Sequence, residues 1–331
     1  MKMENMLKTL IGGLAATLIS VAHAQTGATG TGQTWPTKPV RLVVGYAPGG
    51  VADITARMVA QKLSLSLGQQ VIVENKPGAG LIAASDAVAK AEPDGHTLLH
   101  LNSGNAVSAA LYRTLPFDTV RDFAPVSAMS LSYILVLTNK GSTLSSIKDV
   151  IAMAKSNPDK LNIGTVSIGS GQYMAASLFK AMTGLNLTIV PFKSTPALMT
   201  ALKSNDIQVA FEVAAPVLSL VRSGDLRAIA ISSPQRFETL PEVPTMMEAG
   251  VPAYQVTVWN GIAVPAKTPR AIIERLNREI NAVLVLPDIR QRFADLGIDA
   301  HGGSAEELRG HLAGEIAKWK DLVETSKMEK Q

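Results

Sequence analysis

Two short stretches combine glycine with polar residues in a pattern that can bind an anionic oxygen. The first, YAPGGVAD at 46–53, places Gly49 and Gly50 just before Asp53, and the second is SIGSGQ at 167–172. Glycines let an anion approach the backbone, and free amides at a helix start favour negative charge. A pair of such loops points to a ligand with an acid group at each end, although two plain turns without a ligand remain the alternative.

Other motifs give little support for cofactor chemistry. The stretch GAGLIA at 78–83 formally matches a dinucleotide pattern. We discount it because Lys76 and Pro77 lengthen the loop and Asp94, the acidic residue at a suitable distance, falls in a predicted turn. The sequence has no P-loop and no G-x-S-x-G motif, so common phosphoryl-transfer and serine-hydrolase sites lack their parts. We therefore expect no cofactor.

The reactive side chains are few. The chain has no cysteine, which excludes thiol catalysis and disulfides, and its five histidines do not form H-E-x-x-H. We expect no metal site. Asp53 and Glu212 could act as a carboxylate pair in acid/base catalysis. A helix-start role for Asp53, and ligand contact or strand-end solvation for Glu212, are simpler interpretations.

The loops lie in two series of alternating strands and helices. The first strand is predicted at 40–44, where the continuous apolar run is typical of a strand buried on both faces. Strand and helix patterns alternate from there to 112 and again from 147 to 231, which predicts parallel pairing within each series. Long apolar stretches at 124–139 and 255–264 are predicted to cross between the series. Helices are predicted at 81–91, 271–286 and 305–324.

Because α/β proteins tend to bind ligands at the carboxyl ends of their strands, the two glycine loops are expected to face each other across a cleft. The net charge of +4 is small and the basic residues are dispersed, which argues against nucleic-acid binding. Residues 1–24 have the pattern of a cleaved secretory signal, with basic residues, an apolar run and an A-x-A site. Residues 25–36 are predicted to be a flexible leader.

Several motifs occur in an order and spacing that make chance unconvincing: WP at 35–36, KPVR at 38–41, PGGVAD at 48–53, VIVENKPGAG at 71–80, PDGHTLL at 93–99, VPTMMEAGVP at 243–252 and WNGIAVPAKTP at 259–269. On these motifs, nearly the whole chain after the signal resembles the extracytoplasmic solute receptors of tripartite tricarboxylate transporters, of the Bordetella-uptake-gene type.

This resemblance implies an α/β fold like that of type II periplasmic binding proteins, in which two βα lobes are joined by two crossing strands and enclose a ligand cleft. Residues 37–131 and 253–331 would form the first lobe, and 132–252 the second. The resemblance also implies a monomeric periplasmic receptor without catalytic activity. Such a receptor would bind a small mono-, di- or tricarboxylate and deliver it to membrane permease subunits.

The resemblance further implies which residues contact the ligand. The first lobe would contribute its first loop and one residue of its third, namely Tyr46, Pro48, Gly49, Gly50, Asp53 and Ser103. The second lobe would contribute Ser167, Gly169, Ser170 and Gln172, with Ser194 and Glu212 near the far end of the ligand. Departures from the family pattern, such as Asn102 before Ser103, leave the particular carboxylate open, including aromatic and amino-acid types.

The sequence is also compatible with two other functions. An exported α/β hydrolase that acts on a carboxylate ester would need an activated nucleophile, for which the few histidines offer poor support. A binding protein that signals to a membrane sensor instead of feeding a permease would have the same sequence features as a transport receptor.

Overall fold

A computed structural model describes residues 35–157 and 160–331. The signal sequence predicted at 1–24 and most of the leader predicted at 25–36 lie outside these described residues. All the helices and strands described below belong to one compact unit, Pro36–Gln331. Within the described ranges, no helix has both the length and the apolar character needed to cross a membrane.

The first series alternates strands and helices as the sequence predicted. It consists of β1 (Val40–Val44), α1 (Val51–Leu67), β2 (Val71–Asn75), α2 (Ile82–Ala89), β3 (Thr97–Asn102) and α3 (Ser103–Leu111). β1 lies between β2 and β3 and pairs with both in parallel. Four of its five residues are fully buried, because helices cover both faces of this part of the sheet.

A long strand then leads into a second series. The elements are β4 (Phe123–Asn139), α4 (Ile147–Ser156), β5 (Asn162–Val166), α5 (Gly171–Thr183), β6 (Thr188–Phe192), α6 (Thr195–Lys203), β7 (Val209–Val213), α7 (Ala214–Arg222) and β8 (Leu226–Ile231). β5 pairs in parallel with β6 and β7, as predicted. The carboxyl ends of β5, β6 and β7 therefore lie at one edge, where the loops before α5, α6 and α7 begin.

The chain returns to the first series through β9 (Thr257–Pro265). It ends with α8 (Arg270–Leu284), α9 (Pro287–Asp295), the short strand β10 (Asp299–Ala300) and α10 (Ala305–Thr325). The single helix predicted at 271–286 ends at Leu284, and Pro287 begins the separate helix α9, since proline is well tolerated at the first position of a helix. α9 and β10 were not predicted.

β4 joins the two series because its two halves have different partners. Residues 123–133 pair with β9, whereas residues 134–139 pair with β7 and β8. The main path through the sheet is β2-β1-β3-β9-β4-β7-β5-β6, a mixed α/β sheet with antiparallel pairs around β4 and β9. This confirms the predicted fold class of two βα groups joined by crossing strands. The lobe boundaries at 131/132 and 252/253 stay a prediction.

Leu81 has a backbone conformation that residues other than glycine rarely adopt. Its φ is 59° and that of the preceding Gly80 is 60°, and both residues lie in a 3₁₀ turn, Ala79–Leu81, directly before α2. The helix predicted at 81–91 is therefore shorter, from Ile82 to Ala89. The Leu81 side chain is only 6% exposed and packs tightly against Gly45 and Gly104, so packing holds the strained backbone in place.

We expect Leu81→Gly to be more stable than Leu81→Ala by about 1 kcal/mol, because a left-handed conformation costs residues with a Cβ roughly that much. Both variants lose the packing of the Leu81 side chain beyond Cβ, so the difference between them reports chiefly on the backbone. Urea unfolding followed by circular dichroism would measure it. The matched control is Ala83→Gly on the exposed face of α2, which should be destabilised by about 1 kcal/mol. If Leu81→Ala were the more stable variant, the strain assigned here would be wrong.

Candidate functional site

The loop between β1 and α1 is held by the buried carboxylate of Asp53, which is 3% exposed. Asp53 Oδ2 accepts a hydrogen bond from the Gly49 amide at 2.9 Å, and Oδ1 accepts one from Asn75 Nδ2, also at 2.9 Å. Arg57 Nε lies 3.0 Å from both carboxylate oxygens. Asp53 therefore connects the glycine turn, the first helix and the end of β2.

The Asp53 carboxylate is stabilised in its charged form. Burial alone would raise its pKa, but the hydrogen bonds from Arg57, Gly49 and Asn75, together with the charge of Arg57, bring the pKa below its usual value. With these donors in place, Asp53 has few lone pairs left for a ligand. It fixes the shape of the loop that leads into α1.

A second network joins this loop to the loop after β3. The Tyr46 hydroxyl donates to Asn102 Oδ1 at 3.0 Å, and the same oxygen accepts the Gly104 amide at 2.9 Å. The backbone N–H of Asn102 donates in turn to Asn105 Oδ1, which completes a capping box at the start of α3. Burial of the hydroxyl raises the pKa of Tyr46 to about 12, although 39% of the residue is exposed. Tyr46 therefore stays a neutral donor at physiological pH.

The loop between β5 and α5 is organised by Ser170. Its Oγ accepts the Tyr173 amide at 3.1 Å and donates to the Val166 carbonyl at 2.8 Å, so it caps the helix and ties it to the strand. Gly169 has a φ of +83°, and a Cβ placed on it would lie 3.3 Å from Leu111 Cδ2 of α3. The second glycine loop thus lies against the helix that begins with Ser103.

Glu212, near the end of β7, is fully buried. It accepts hydrogen bonds from Gln172 Nε2 at 2.7 Å and from Thr195 Oγ1 at 2.8 Å, so it links α5 to α6. Burial raises the pKa of Glu212 even though these hydrogen bonds and that from the Val213 amide act in the opposite direction. The two carboxylates singled out in the sequence therefore lie in different hydrogen-bond networks.

The structure gathers the predicted residues into two groups. Tyr46, Gly49 and Asp53 belong to connected networks around the starts of α1 and α3, and Ser103 is the first residue of α3. Gln172 and Glu212 contact each other, Ser170 caps the same helix, and Ser194 caps α6 through a longer bond of 3.5 Å from the Ala197 amide. Pro48, Gly50, Ser167 and Gly169 contribute backbone to the two glycine loops. Contact of any of these residues with a ligand stays a prediction.

Sequence reasoning missed the polar residues that fix the loops. Asn75 and Asn102 are the last residues of β2 and β3, and Thr195 is the first residue of α6. Their position in the sequence could have identified them, because a polar side chain at the end of a buried strand lies where the following helix needs an N-cap. Asn102 with Asn105 three residues later was such a signal. Within the described ranges, no group of three or more His, Asp or Glu side chains is placed to hold a metal ion.

Comparison with known proteins gives one family match. A model described as the tripartite tricarboxylate transporter family receptor matches residues 55–328. Protein BugT of Bordetella pertussis is 34% identical to the chain over 312 residues, which cover 94% of this chain and 96% of BugT.

Solved structures with the same fold are also related in sequence. The periplasmic binding protein BugD has a TM-score of 0.77 and 28% identity, with 90% of this chain and all of BugD covered. Rpa4515 of R. palustris, solved with adipate, has a TM-score of 0.79 and 31% identity over 88% of this chain and 98% of that chain. MatC of Rhodopseudomonas palustris, with bound malate, has a TM-score of 0.75 and 31% identity, with 87% of this chain and 99% of MatC covered.

Proposed function

The chain belongs to the family of tripartite tricarboxylate transporter receptors, and from this premise we propose that it captures a small carboxylate in the periplasm and delivers it to the permease subunits of such a transporter. The family consists of solute receptors, and the proposal gives this protein no catalytic step. Adipate in Rpa4515 and malate in MatC support a small aliphatic carboxylate as the class of ligand.

The observation that carries the proposal is the set of helix starts that follow parallel strands, three of which have a side-chain cap, namely α3, α5 and α6. α1 and α3 begin after β1 and β3 in the first series, and α5 and α6 begin after β5 and β6 in the second. Each helix start has free backbone amides and the positive end of a helix dipole, which together favour a carboxylate. Because Asp53, Asn102 and Ser170 fix these loops in advance, little ordering free energy would be lost on binding.

In this proposal the two loops grip the ligand from opposite lobes. The Gly50 amide with the Ser103 hydroxyl would hold one carboxylate beside the Gly49 turn that Asp53 fixes, and Ser167, Gly169 and Ser170 would approach from the second lobe. β4 is the natural hinge, since its partners change between Tyr133 and Ile134. We expect the receptor to act as a monomer, because one chain supplies both halves of the proposed site.

A thermal-shift screen tests this function. We expect at least one of adipate, malate, succinate and citrate to raise the melting temperature, and a ligand at 100 times its Kd would add about 2.7 kcal/mol of stability. That corresponds to a shift of roughly 4 °C for a chain of this size. The matched control ligands are the methyl esters of the same acids, which keep the carbon skeleton and lack the charge. If neither these acids nor a wider panel of carboxylates stabilised the protein more than their esters, the proposal would fail.

A further inference from the structure

Glu212 is an unusual group to find beside a carboxylate site. Its side chain is fully buried and, among the described residues, its hydrogen-bond donors are all uncharged: Gln172 from α5, Thr195 from α6 and the Val213 amide. No salt bridge within the described ranges involves Glu212. Burying a carboxyl group without a cationic partner costs free energy of folding. We therefore look for a function that would explain why Glu212 is retained.

The hydrogen bonds around Glu212 fix which way the Gln172 amide points. A backbone N–H can only donate, so the Val213 amide, 2.8 Å from Glu212 Oε1, makes that oxygen an acceptor. The same oxygen lies 2.7 Å from the Gln172 side chain, which must therefore present its NH₂ group and not its carbonyl. This orientation follows for the charged carboxylate, both of whose oxygens can only accept.

With its NH₂ group turned toward Glu212, Gln172 directs its carbonyl oxygen the other way. Gln172 is half-buried at the second position of α5, next to the Ser170 cap, and no donor among the described residues bonds to its Oε1. That oxygen is an accessible hydrogen-bond acceptor. A second bare carboxylate would meet it acceptor to acceptor, whereas a hydroxyl or an ammonium group would donate to it.

We propose that the ligand is a carboxylate whose far end carries a hydrogen-bond donor, a hydroxyl or an ammonium group, and that Gln172 recognises this donor in an orientation set by Glu212. The inference rests on the proposed function and names its class of ligand. Glu212 is a positioning residue here, since it acts through Gln172. Its carboxylate also adds negative potential, which favours ammonium over hydroxyl.

The test compares ligands of one length that differ only at one end. Succinate, 4-hydroxybutyrate and 4-aminobutyrate form one set, and adipate, 6-hydroxyhexanoate and 6-aminohexanoate form another. Calorimetric titration of the unmodified protein should show the hydroxyl and amino compounds binding about tenfold more tightly than the dicarboxylate of the same length, the upper end of the gain expected for one hydrogen bond. A dicarboxylate that bound as tightly as both partners in its set would overturn the inference. Absence of binding by all carboxylates would instead refute the proposed function.

Two variants separate the roles of the residues. Gln172→Met removes the acceptor and should bring the ratio of hydroxyl to dicarboxylate affinity close to one. Glu212→Gln keeps an oxygen for the Val213 amide, so it should preserve that ratio while reducing the advantage of amino over hydroxyl ligands several-fold. The matched control, Glu242→Gln at an exposed position, should change neither ratio. Misfolding would lower the affinity for all three ligands together and leave their ratios unchanged only by reducing binding as a whole. Affinity ratios that stay unchanged in a folded Gln172→Met variant would therefore contradict the inference.

Discussion

Asp53→Ala is expected to weaken carboxylate binding about 100-fold and to lower the free energy of unfolding by about 2–3 kcal/mol. The substitution removes the common acceptor of the Gly49 amide, Asn75 and Arg57, and it leaves these donors without a partner around the first glycine loop. The loop would then have to be ordered by the ligand, at the expense of affinity. Calorimetric titration and urea unfolding measure the two effects.

Two further variants show whether the carboxylate itself is responsible. Asp53→Asn keeps one acceptor and should give an intermediate loss. Because the folded-state pKa of Asp53 is lowered, its carboxylate contributes stability above the unfolded value of about 3.9, and this contribution is lost as the pH falls through the folded pKa. The stability difference between the unmodified protein and Asp53→Asn should therefore shrink below about pH 4. Asp321→Ala, an exposed aspartate on α10, is the control. Full affinity in Asp53→Ala would refute the role of Asp53.

Most of the fold could be predicted from the sequence, because burial produces a strong hydrophobic pattern along the chain. The apolar run of β1 and the long run of β4 reflect strands covered by helices or shared between two groups of strands, and both were predicted within a few residues. α9 and β10 were missed because α9 is short and mostly polar and β10 has two residues. The left-handed conformation of Leu81 has no local signal, since it is set by packing against Gly45 and Gly104.

The candidate site was predictable only as a set of loops. Glycines next to a helix pattern identified both loops, because backbone freedom and free amides are properties of the local sequence. The contacts that organise the loops join distant parts of the chain: Tyr46 with Asn102, Asp53 with Asn75 and Gln172 with Glu212. A pattern along one sequence contains no information about such pairs until strand order and register bring them together.

The two buried carboxyl groups illustrate different solutions to the cost of burial. Asp53 has Arg57 as a cationic partner at 3.0 Å, and its pKa is lowered. Glu212 faces only the uncharged groups Gln172, Thr195 and the Val213 amide, and its pKa is raised. The first arrangement stabilises a loop, whereas the second retains a charge at a cost in stability, which is common where a site is kept for function.

Glu212→Gln is therefore expected to stabilise the protein, by about 1–2 kcal/mol at pH 8. The folded-state pKa of Glu212 is raised, so its favourable contribution is complete below the unfolded value of about 4.3 and is lost as the pH rises through the folded pKa. A glutamine keeps the acceptor for Gln172 without this loss. Urea unfolding at pH 4 and pH 8 should show a gain that grows with pH, while the exposed control Glu242→Gln shows none. A variant less stable than the unmodified protein at pH 8 would mean that the three donors compensate the buried charge fully, and Glu212 would then need no functional explanation.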